Sequence, residues 1–383
     1  MNRVFSTFLL LILSVTVFPV SSDARTWLVR QDGTGDCTTI QAGIDLSSAG
    51  DSILVGPGHY YEPLTISGKN VALIGELGAT ATYIHGTPLH RVIHCVNIPA
   101  TGVIRGFTIT EGEIYIPYWP DNVGGGIFCE SSDVEVIDDI ITNNHGDGIA
   151  ADAASVLYVS RNMISYNTGE WAEYGDIFGC GVYCFTSRAL IEDNEFVHNE
   201  NAAVLCQGSS PVVRRNIMRD GSIGIGCFAS SQATIYENLI VNGTNIAVAI
   251  DHSSPTIRNN TIVANRDGIS FFYASPVLEN NIIVGSRWGI YNSMSSPSSP
   301  ILRCNDVWNN SRGNYYSCTP GSGDFSADPL FCNPGVRDYH INLNSQCSPA
   351  NSGGCGLVGA FGIGCGPTSI QETTWGKIKA LFR

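Results

Sequence analysis

An asparagine recurs at a nearly constant spacing through the middle of the chain, from about residue 104 to 310. Its successive separations are 32, 22, 22, 22, 21 and 24 residues. The series consists of Asn162, Asn194, Asn216, Asn238, Asn260, Asn281 and Asn305. Asp139 and Gly106 extend it towards the N-terminus. A period of about 22 residues, enlarged in one unit, predicts one elongated repeat body instead of several unrelated domains.

Each unit contains three short stretches of alternating apolar residues, separated by Gly, Pro, Ser and Asn, as in residues 248–265. This is the chemistry of strands and turns, and it leaves no room for a helix. The leucine-rich, WD, TPR and ankyrin signatures are absent. We therefore predict a parallel β-helix whose coils stack about 4.8 Å apart. We expect each asparagine to adopt a left-handed or bridge backbone conformation and to bond the asparagine of the next coil.

These repeats resemble the right-handed parallel β-helix proteins of the pectin-lyase-like superfamily, in the branch with NosD-like carbohydrate-binding and sugar-hydrolysis repeats. The opening DGTGDCTTIQAGID resembles that of pectin methylesterases, and the closing segment from ADPLFCNPG resembles that of secreted bacterial β-helix proteins. The resemblance implies an all-β fold with a capping helix within residues 38–46 and an irregular C-terminal cap. The catalytic motifs of methylesterases, polygalacturonases and epimerases are absent. Lyase chemistry is disfavoured, because no Lys follows Lys69 in the coils and no Arg lies on the outer face of the first strands.

Residues 1–24 are interpreted as a cleaved secretory signal, because Asn2 and Arg3 precede an apolar run that ends in small residues. An uncleaved membrane anchor is the alternative reading. We predict a single domain over 25–366, with an N-terminal cap and first coils (25–103), regular coils (104–310) and a cysteine-bearing cap (311–366). Residues 367–383 form a sorting or docking tail or a frayed terminus.

Export would place the protein outside the cell or on its surface, and we expect a monomer. The formal net charge is −14 and there are only three lysines, so nucleic acid and anionic membranes are poor partners. A polysaccharide or cell-surface glycan is the expected partner.

Thirteen cysteines leave at least one thiol unpaired in a monomer. Alternation on the first strand of each coil puts one column of residues inside the coil. That column is Cys95, Cys129, Ala151, Cys184, Cys206, Cys227, Ile250, Phe271 and Asn292. A straight column does not form a tetrahedral metal site, so we interpret these cysteines as small buried hydrophobic residues. Six further cysteines lie towards the C-terminus, and their pairing cannot be deduced.

An outward row is expected two residues before each asparagine of the series. It consists of Ser160, Glu192, Arg214, Tyr236, Arg258, Glu279 and Arg303. We interpret the charged members as exposed ion pairs between neighbouring coils, each contributing well under ~1 kcal/mol.

Two insertions, residues 111–122 and 168–179, precede first strands that are two coils apart. They should flank the outer face of the coils that begin at Ile127, Ile149 and Val182. Aromatic walls beside carboxylates suit an oligosaccharide, whose rings have apolar faces and hydroxyl rims. The predicted walls comprise Tyr115, Tyr118, Trp119, Trp171 and Tyr174, and the face between them carries Phe128, Glu130, Asp152, Tyr183 and Phe185.

Glu130 and Asp152 fall in one outward column of neighbouring coils, about 5 Å apart at the backbone, which is in the range of a retaining glycosidase pair. With Asp147 they are equally suited to calcium, and they are also consistent with a chance pairing. Asp251 and His252 are a weaker candidate. Two hypotheses follow: a carbohydrate-binding solenoid without catalysis, and a polysaccharide-acting enzyme that uses Glu130 and Asp152.

Overall fold

A computed structural model of the protein describes residues 24–114, 124–169 and 179–366. Its strands form three long sheets that run the length of the molecule and one small sheet at the C-terminal end. Along the chain, strands visit the first, second and third sheets in turn, and one such circuit is one coil.

The first sheet contains eleven strands. They are Leu64–Ser67, Ile93–Val96, Ile127–Glu130, Ile149–Asp152, Val182–Phe185, Ala202–Gln207, Ile223–Phe228, Ile246–Asp251, Asp267–Phe272, Trp288–Asn292 and Gly313–Tyr316. The second sheet contains twelve strands. They are Thr26–Val29, Ser52–Val55, Ala72–Gly75, Gly102–Arg105, Asp133–Ile137, Val156–Ser160, Arg188–Glu192, Val212–Arg214, Thr234–Tyr236, Thr256–Arg258, Val277–Glu279 and Ile301–Arg303.

The third sheet contains eleven strands. They are Gly58–Tyr61, Thr82–His85, Thr108–Thr110, Ile140–Thr142, Met163–Ser165, Glu195–Val197, Ile217–Arg219, Leu239–Val241, Thr261–Val263, Ile282–Val284 and Asp306–Trp308. Every strand of these sheets pairs in parallel with its equivalent in the next coil, as Ile127 does with Ile149. The predicted all-β, right-handed parallel β-helix is confirmed.

The predicted asparagine ladder occupies the turn between the second and third sheets, which we call the ladder corner. Nδ2 of Asn194 donates to Oδ1 of Asn216 (3.0 Å), and Nδ2 of Asn216 donates to Oδ1 of Asn238 (3.0 Å). The same bond joins every successive pair from Asn162 to Asn305. All of these side chains are buried.

The left-handed conformation occurs one position before the asparagine, so the left-handed alternative of the prediction is wrong, and the bridge alternative stays a prediction. The residue immediately before each ladder asparagine, and not the asparagine itself, has a positive φ, between 50° and 58°. The left-handed residues are Arg161, Asp193, Arg215, Glu237, Asn259, Asn280 and Cys304. Gly106 (φ 81°) matches this left-handed position, so the ladder position in its coil is the buried Phe107.

Two further ladders stand at the other corners. At the turn between the first and second sheets, backbone N–H groups donate to serine hydroxyls of the next coil, as Ser209 does to Ser231 (3.2 Å). At the turn between the third and first sheets, which we call the insertion corner, Nδ2 of Asn144 donates to Asn167 and Nδ2 of Asn167 to Asn199. Each corner therefore satisfies buried polar groups between coils through side chains.

The interior column of the first sheet lies in register from Cys95 to Asn292, and all nine members are buried. Burial raises the pKa of the Cys184 thiol to about 12, so this cysteine is an inert core residue. The interpretation of the column as packing residues is consistent with this environment.

The ends of the solenoid are capped as predicted. A helix, Ile40–Leu46, begins at Thr39, whose hydroxyl accepts a hydrogen bond from the N–H of Ala42, and it buries Ile40 and Ile44. At the other end, disulfides join Cys304 to Cys355 and Cys332 to Cys365, while Cys318 and Cys347 are free thiols. The cap sheet consists of Phe331–Asn333, Asp338–Asn342 and Ile363–Cys365. Two short 3-10 helices occur at Ser293–Ser295 and Pro334–Val336.

The outward row of the second sheet forms ion pairs between coils, but it is not uniformly exposed. Arg303 pairs with Glu279 at 3.0 Å on the surface. Glu192 instead is buried and is bonded by Tyr158, Arg214 and Arg215, and Arg258 stacks on Tyr236. The expectation of an entirely solvated row is therefore wrong at Ser160 and Glu192, which are both buried.

Candidate functional site

The outer face of the first sheet brings Glu130 and Asp152 together as neighbours in the sheet. Their strands are paired in register, with Phe128 opposite Ala150 and Glu130 opposite Asp152. Both carboxylates lie at the ends of their strands and are half-buried. The catalytic role of the two residues stays a prediction.

The two carboxylates interact with opposite neighbours along the helix axis. Oε2 of Glu130 lies 3.5 Å from Nε2 of His94, on the preceding coil. Oδ1 of Asp152 accepts a hydrogen bond from the hydroxyl of Thr186 (3.2 Å), on the following coil, and another from the N–H of Ala153. The two carboxylates therefore have separate partners, on opposite sides of the pair, although their backbones are adjacent.

An apolar cluster lies outside the coil, beside these carboxylates. It contains Phe128, Ala150, Cys180, Tyr183, Ala202 and Leu205, all buried, with Phe185, Ile223 and Phe228 partly buried against it. The hydroxyl of Tyr183 donates to Oε1 of Gln207 (2.8 Å). Tyr183 is thus part of the packed floor, whereas Phe185 at its edge is more accessible.

Two basic side chains that were not predicted as site residues also reach this face. The guanidinium of Arg91 lies 4.4 Å from the ring centroid of Phe128, and the ring of His94 stacks on Phe128 at 5.4 Å. Alternation along Ile93–Val96 would have placed His94 outside, in the column of Phe128. Arg91 precedes that strand, so the strand pattern contains no signal for it. An arginine therefore reaches this face from outside the strands.

Asp147 lies two residues before the strand Ile149–Asp152, at the end away from Asp152. Five residue steps along an extended chain span roughly 16 Å. Its carboxylate is fully buried, with Oδ1 accepting the N–H of Cys180 (2.8 Å), and burial raises the pKa of Asp147 to about 7. No group of three or more His, Cys, Asp or Glu able to hold a metal occurs within 24–114, 124–169 and 179–366. Calcium binding stays a prediction.

Several predicted binding residues, Tyr115, Tyr118, Trp119, Trp171 and Tyr174, lie outside the described residues, as do residues 1–23 and the tail 367–383. In the described part of the chain, no helix has the length and apolar character needed to cross a membrane.

The sheets, ladders and caps define this chain as a right-handed parallel β-helix protein. Residues 176–307 match the family model described as "Right handed beta helix region". No match is found among curated proteins.

Several solved structures are similar to the chain. An alginate lyase from Paenibacillus sp. str. FPU-7 is 13% identical with a TM-score of 0.49, covering 78% of this chain and 99% of that one. The A-module of a mannuronan C-5 epimerase from Azotobacter vinelandii is 15% identical with a TM-score of 0.49, covering 76% and 94%. A pectate lyase is 13% identical with a TM-score of 0.47, covering 90% and 97%. Likenesses this distant say nothing about the activity of this chain.

Proposed function

We propose that this protein binds a carbohydrate on the outer face of its first sheet, over the coils that begin at Ile127, Ile149 and Val182. The observation that carries the proposal is the arrangement of half-buried polar groups around an apolar floor. Glu130 and Asp152 supply carboxylates, and Phe128 with Tyr183 forms the floor.

This arrangement suits a sugar, because a sugar ring also combines an apolar face with hydroxyl groups at its rim. The side chain of Glu130 is 45% exposed, so its carboxylate can accept hydrogen bonds from hydroxyl groups. Phe185 offers a partly open ring at the edge of the floor. His94 and Arg91 add donors, which extends the possible ligands to acidic sugars.

The experiment is a glycan-array screen of the protein with and without calcium, followed by titration of each hit against variants. We expect Glu130→Gln and Asp152→Asn each to weaken binding about tenfold or more, because hydrogen bonds to charged groups contribute about 1.5–3 kcal/mol. Glu279→Gln, an acidic residue on the second sheet, is the matched control and should leave affinity unchanged.

The aromatic part of the proposal is tested separately. Phe185→Ala, Trp119→Ala and Trp171→Ala should each weaken binding if the two insertions and the sheet edge contact the sugar. Unchanged affinity in all three variants would contradict this placement. If no glycan on the array binds the protein, carbohydrate binding itself is contradicted.

An enzyme is the second candidate, because Glu130 and Asp152 are adjacent in register. Binding is the first candidate because each carboxylate is engaged by a neighbour in a different coil, whereas a retaining pair directs both carboxyl groups, about 5–5.5 Å apart, at one scissile bond. Product analysis distinguishes the two. New reducing ends that vanish in Glu130→Gln and Asp152→Asn would establish the enzyme.

A further inference from the structure

A second cluster of aromatic and ionisable side chains lies on the outer face of the third sheet, within its first two strands. His59 and Tyr61 project from Gly58–Tyr61, and Tyr83 and His85 lie directly opposite them on Thr82–His85. His59 stacks on Tyr83 (4.5 Å between centroids, 13° between planes), and Tyr61 stacks on His85 (4.3 Å, 16°). The four rings form a compact array that is remote in sequence from Glu130 and Asp152.

A chain of hydrogen bonds runs through this array and ends at the surface. Nδ1 of His85 lies 2.9 Å from Oε2 of Glu111, and Nε2 of His85 lies 2.9 Å from Nδ1 of His59. In the neutral tautomer in which His85 donates from Nδ1 to the carboxylate of Glu111, its Nε2 accepts from Nδ1–H of His59. Nε2 of His59 is then left as a hydrogen-bond acceptor on an exposed side chain.

Tyr61 presents an open aromatic surface next to that acceptor. One face of its ring is covered by His85, yet the residue is 66% exposed. The opposite face of the ring is therefore turned to solvent. Among the residues that the structure describes, Gly58–Tyr61 is the terminal strand of the third sheet, and none of their strands in that sheet stacks beyond Tyr61.

The relay holds the exposed groups in a fixed geometry. His85 is buried, with its side chain 9% exposed, and both of its ring nitrogens are engaged. It thereby orients the imidazole of His59 and supports the ring of Tyr61. Rigid placement reduces the entropy lost when a ligand is bound.

We propose that this array is a second carbohydrate-binding site, specific for neutral sugars, in which Tyr61 stacks on the C–H face of a pyranose ring and Nε2 of His59 accepts a bond from a hydroxyl group. An apolar ring face beside a directed acceptor matches the two surfaces of a pyranose. Glu111, whose side chain is 60% exposed, lies beyond His85 in the next coil, and its negative charge repels acidic sugars from the array. The site goes beyond the proposed function, because no residue of the first sheet contributes to it.

The test is a calorimetric titration of hexasaccharides of glucose, mannose and galactose, with hexagalacturonate as the acidic probe. It is made on protein that carries Glu130→Gln and Asp152→Asn, so that binding at the first sheet does not mask the result. We expect at least one neutral hexasaccharide to bind, and Tyr61→Ala and His59→Ala each to weaken it about tenfold. The ring signals of His59, assigned by their loss in His59→Ala, should shift on addition of that sugar.

Tyr166→Ala is the matched control. Tyr166 is also exposed (50%), follows a strand of the third sheet and stacks on a histidine, His198, at 5.2 Å. None of the hydrogen bonds of the described residues links the ring of His198 to a carboxylate, so affinity should stay within about twofold. Glu111→Gln keeps an acceptor for His85 and removes the charge; we expect it to retain binding of the neutral sugar and to increase binding of hexagalacturonate.

Three results would overturn the proposal. The first is that no neutral hexasaccharide binds at millimolar concentration. The second is that Tyr61→Ala and His59→Ala bind as tightly as the parent, or that Tyr166→Ala loses as much affinity as they do. The third is that hexagalacturonate binds as tightly as the neutral sugars. Each result leaves the first-sheet proposal standing, since that site is tested in protein with Glu130 and Asp152 intact.

Discussion

The ladder corner and the insertion corner both bond neighbouring coils through asparagine side chains. The row of asparagines is continuous at the ladder corner and interrupted at the insertion corner. At the ladder corner an unbroken row of buried asparagines runs from Asn162 to Asn305. At the insertion corner the row runs from Asn144 to Asn199, is replaced by Gly221 and Gly243, and resumes at Asn265. A small cavity of about 10 Å³ lies where the glycines interrupt the row.

Both insertions of the chain, residues 111–122 and 168–179, leave from the insertion corner. The ladder corner carries none. The insertions leave where the row of this corner is still bonded, from Asn144 to Asn199, and the glycines that interrupt it lie in later coils without an insertion. Bonding between asparagines therefore stacks the coils without excluding extra residues, and the two corners differ in how much that bonding contributes to stability. Three predictions test this comparison.

The largest expected effect is the loss of a ladder asparagine. The side chain of Asn216 accepts two bonds from Asn194 and donates to Ile191, Arg214 and Asn238. We expect Asn216→Ala to lower the free energy of unfolding by about 3 kcal/mol, because it leaves buried polar groups unsatisfied.

The matched variant at the other corner is Asn199→Ala. Asn199 accepts two bonds from Asn167 and donates one to Ile164, so the expected loss is smaller, about 2 kcal/mol. Chemical denaturation measures both variants. Equal losses would show that the two corners contribute alike.

An intermediate effect is expected at Asp139, which occupies the ladder position before Asn162. Oδ1 of Asp139 accepts the N–H of Phe107, but its buried Oδ2 faces the ladder where an asparagine would donate. Burial raises the pKa of Asp139 well above its ordinary value. The folded state therefore favours the protonated acid.

Stability from this group is fully present below the unfolded pKa, near 3.9, and is lost as the pH rises from there towards the raised folded pKa. Asp139→Asn should thus raise the free energy of unfolding at pH 7 by about 1–2 kcal/mol, with little change at pH 4. Denaturation curves at the two pH values measure it. A stabilisation independent of pH would mean that ionisation of Asp139 is not the cause.

The smallest effect is expected from extending the broken ladder. Gly221 has no positive φ, and an added Cβ would lie 3.2 Å from the carbonyl oxygen of Asn199. We expect Gly221→Asn to raise the free energy of unfolding by about 0.5–1 kcal/mol, by bonding Asn199 and restricting the unfolded chain.

Gly243→Asn is the control, because its Cβ would lie 2.7 Å from Oδ1 of Asn265 and must displace it. The midpoint temperature of thermal unfolding should therefore rise for Gly221→Asn and fall for Gly243→Asn. A fall in both would show that the insertion corner excludes side chains at either glycine.

Most of the fold follows from local patterns that the sequence displays. The period of the asparagines predicts the coil, because each asparagine bonds its equivalent one period away. Alternation along each first strand predicts the buried column from Cys95 to Asn292, since successive side chains point to opposite faces. The capping helix is predicted from a different period, because residues four apart, such as Ile40 and Ile44, lie on one face of a helix.

The candidate sites could be predicted from the sequence only in part. Register could be predicted for Glu130 and Asp152, but their contacts with His94 and Thr186 depend on side-chain rotamers. The disulfides Cys304–Cys355 and Cys332–Cys365 depend on how the cap folds back, which no spacing encodes.

The sequence by itself determined that this protein is a three-sheet solenoid, since hydrophobic alternation and a repeated turn residue act within one coil or between neighbours. Only the tertiary structure decided where functional groups meet. His59, His85 and Glu111 lie in three successive coils, 26 residues apart at each step, and they converge because parallel stacking brings equivalent positions of neighbouring coils within hydrogen-bonding distance.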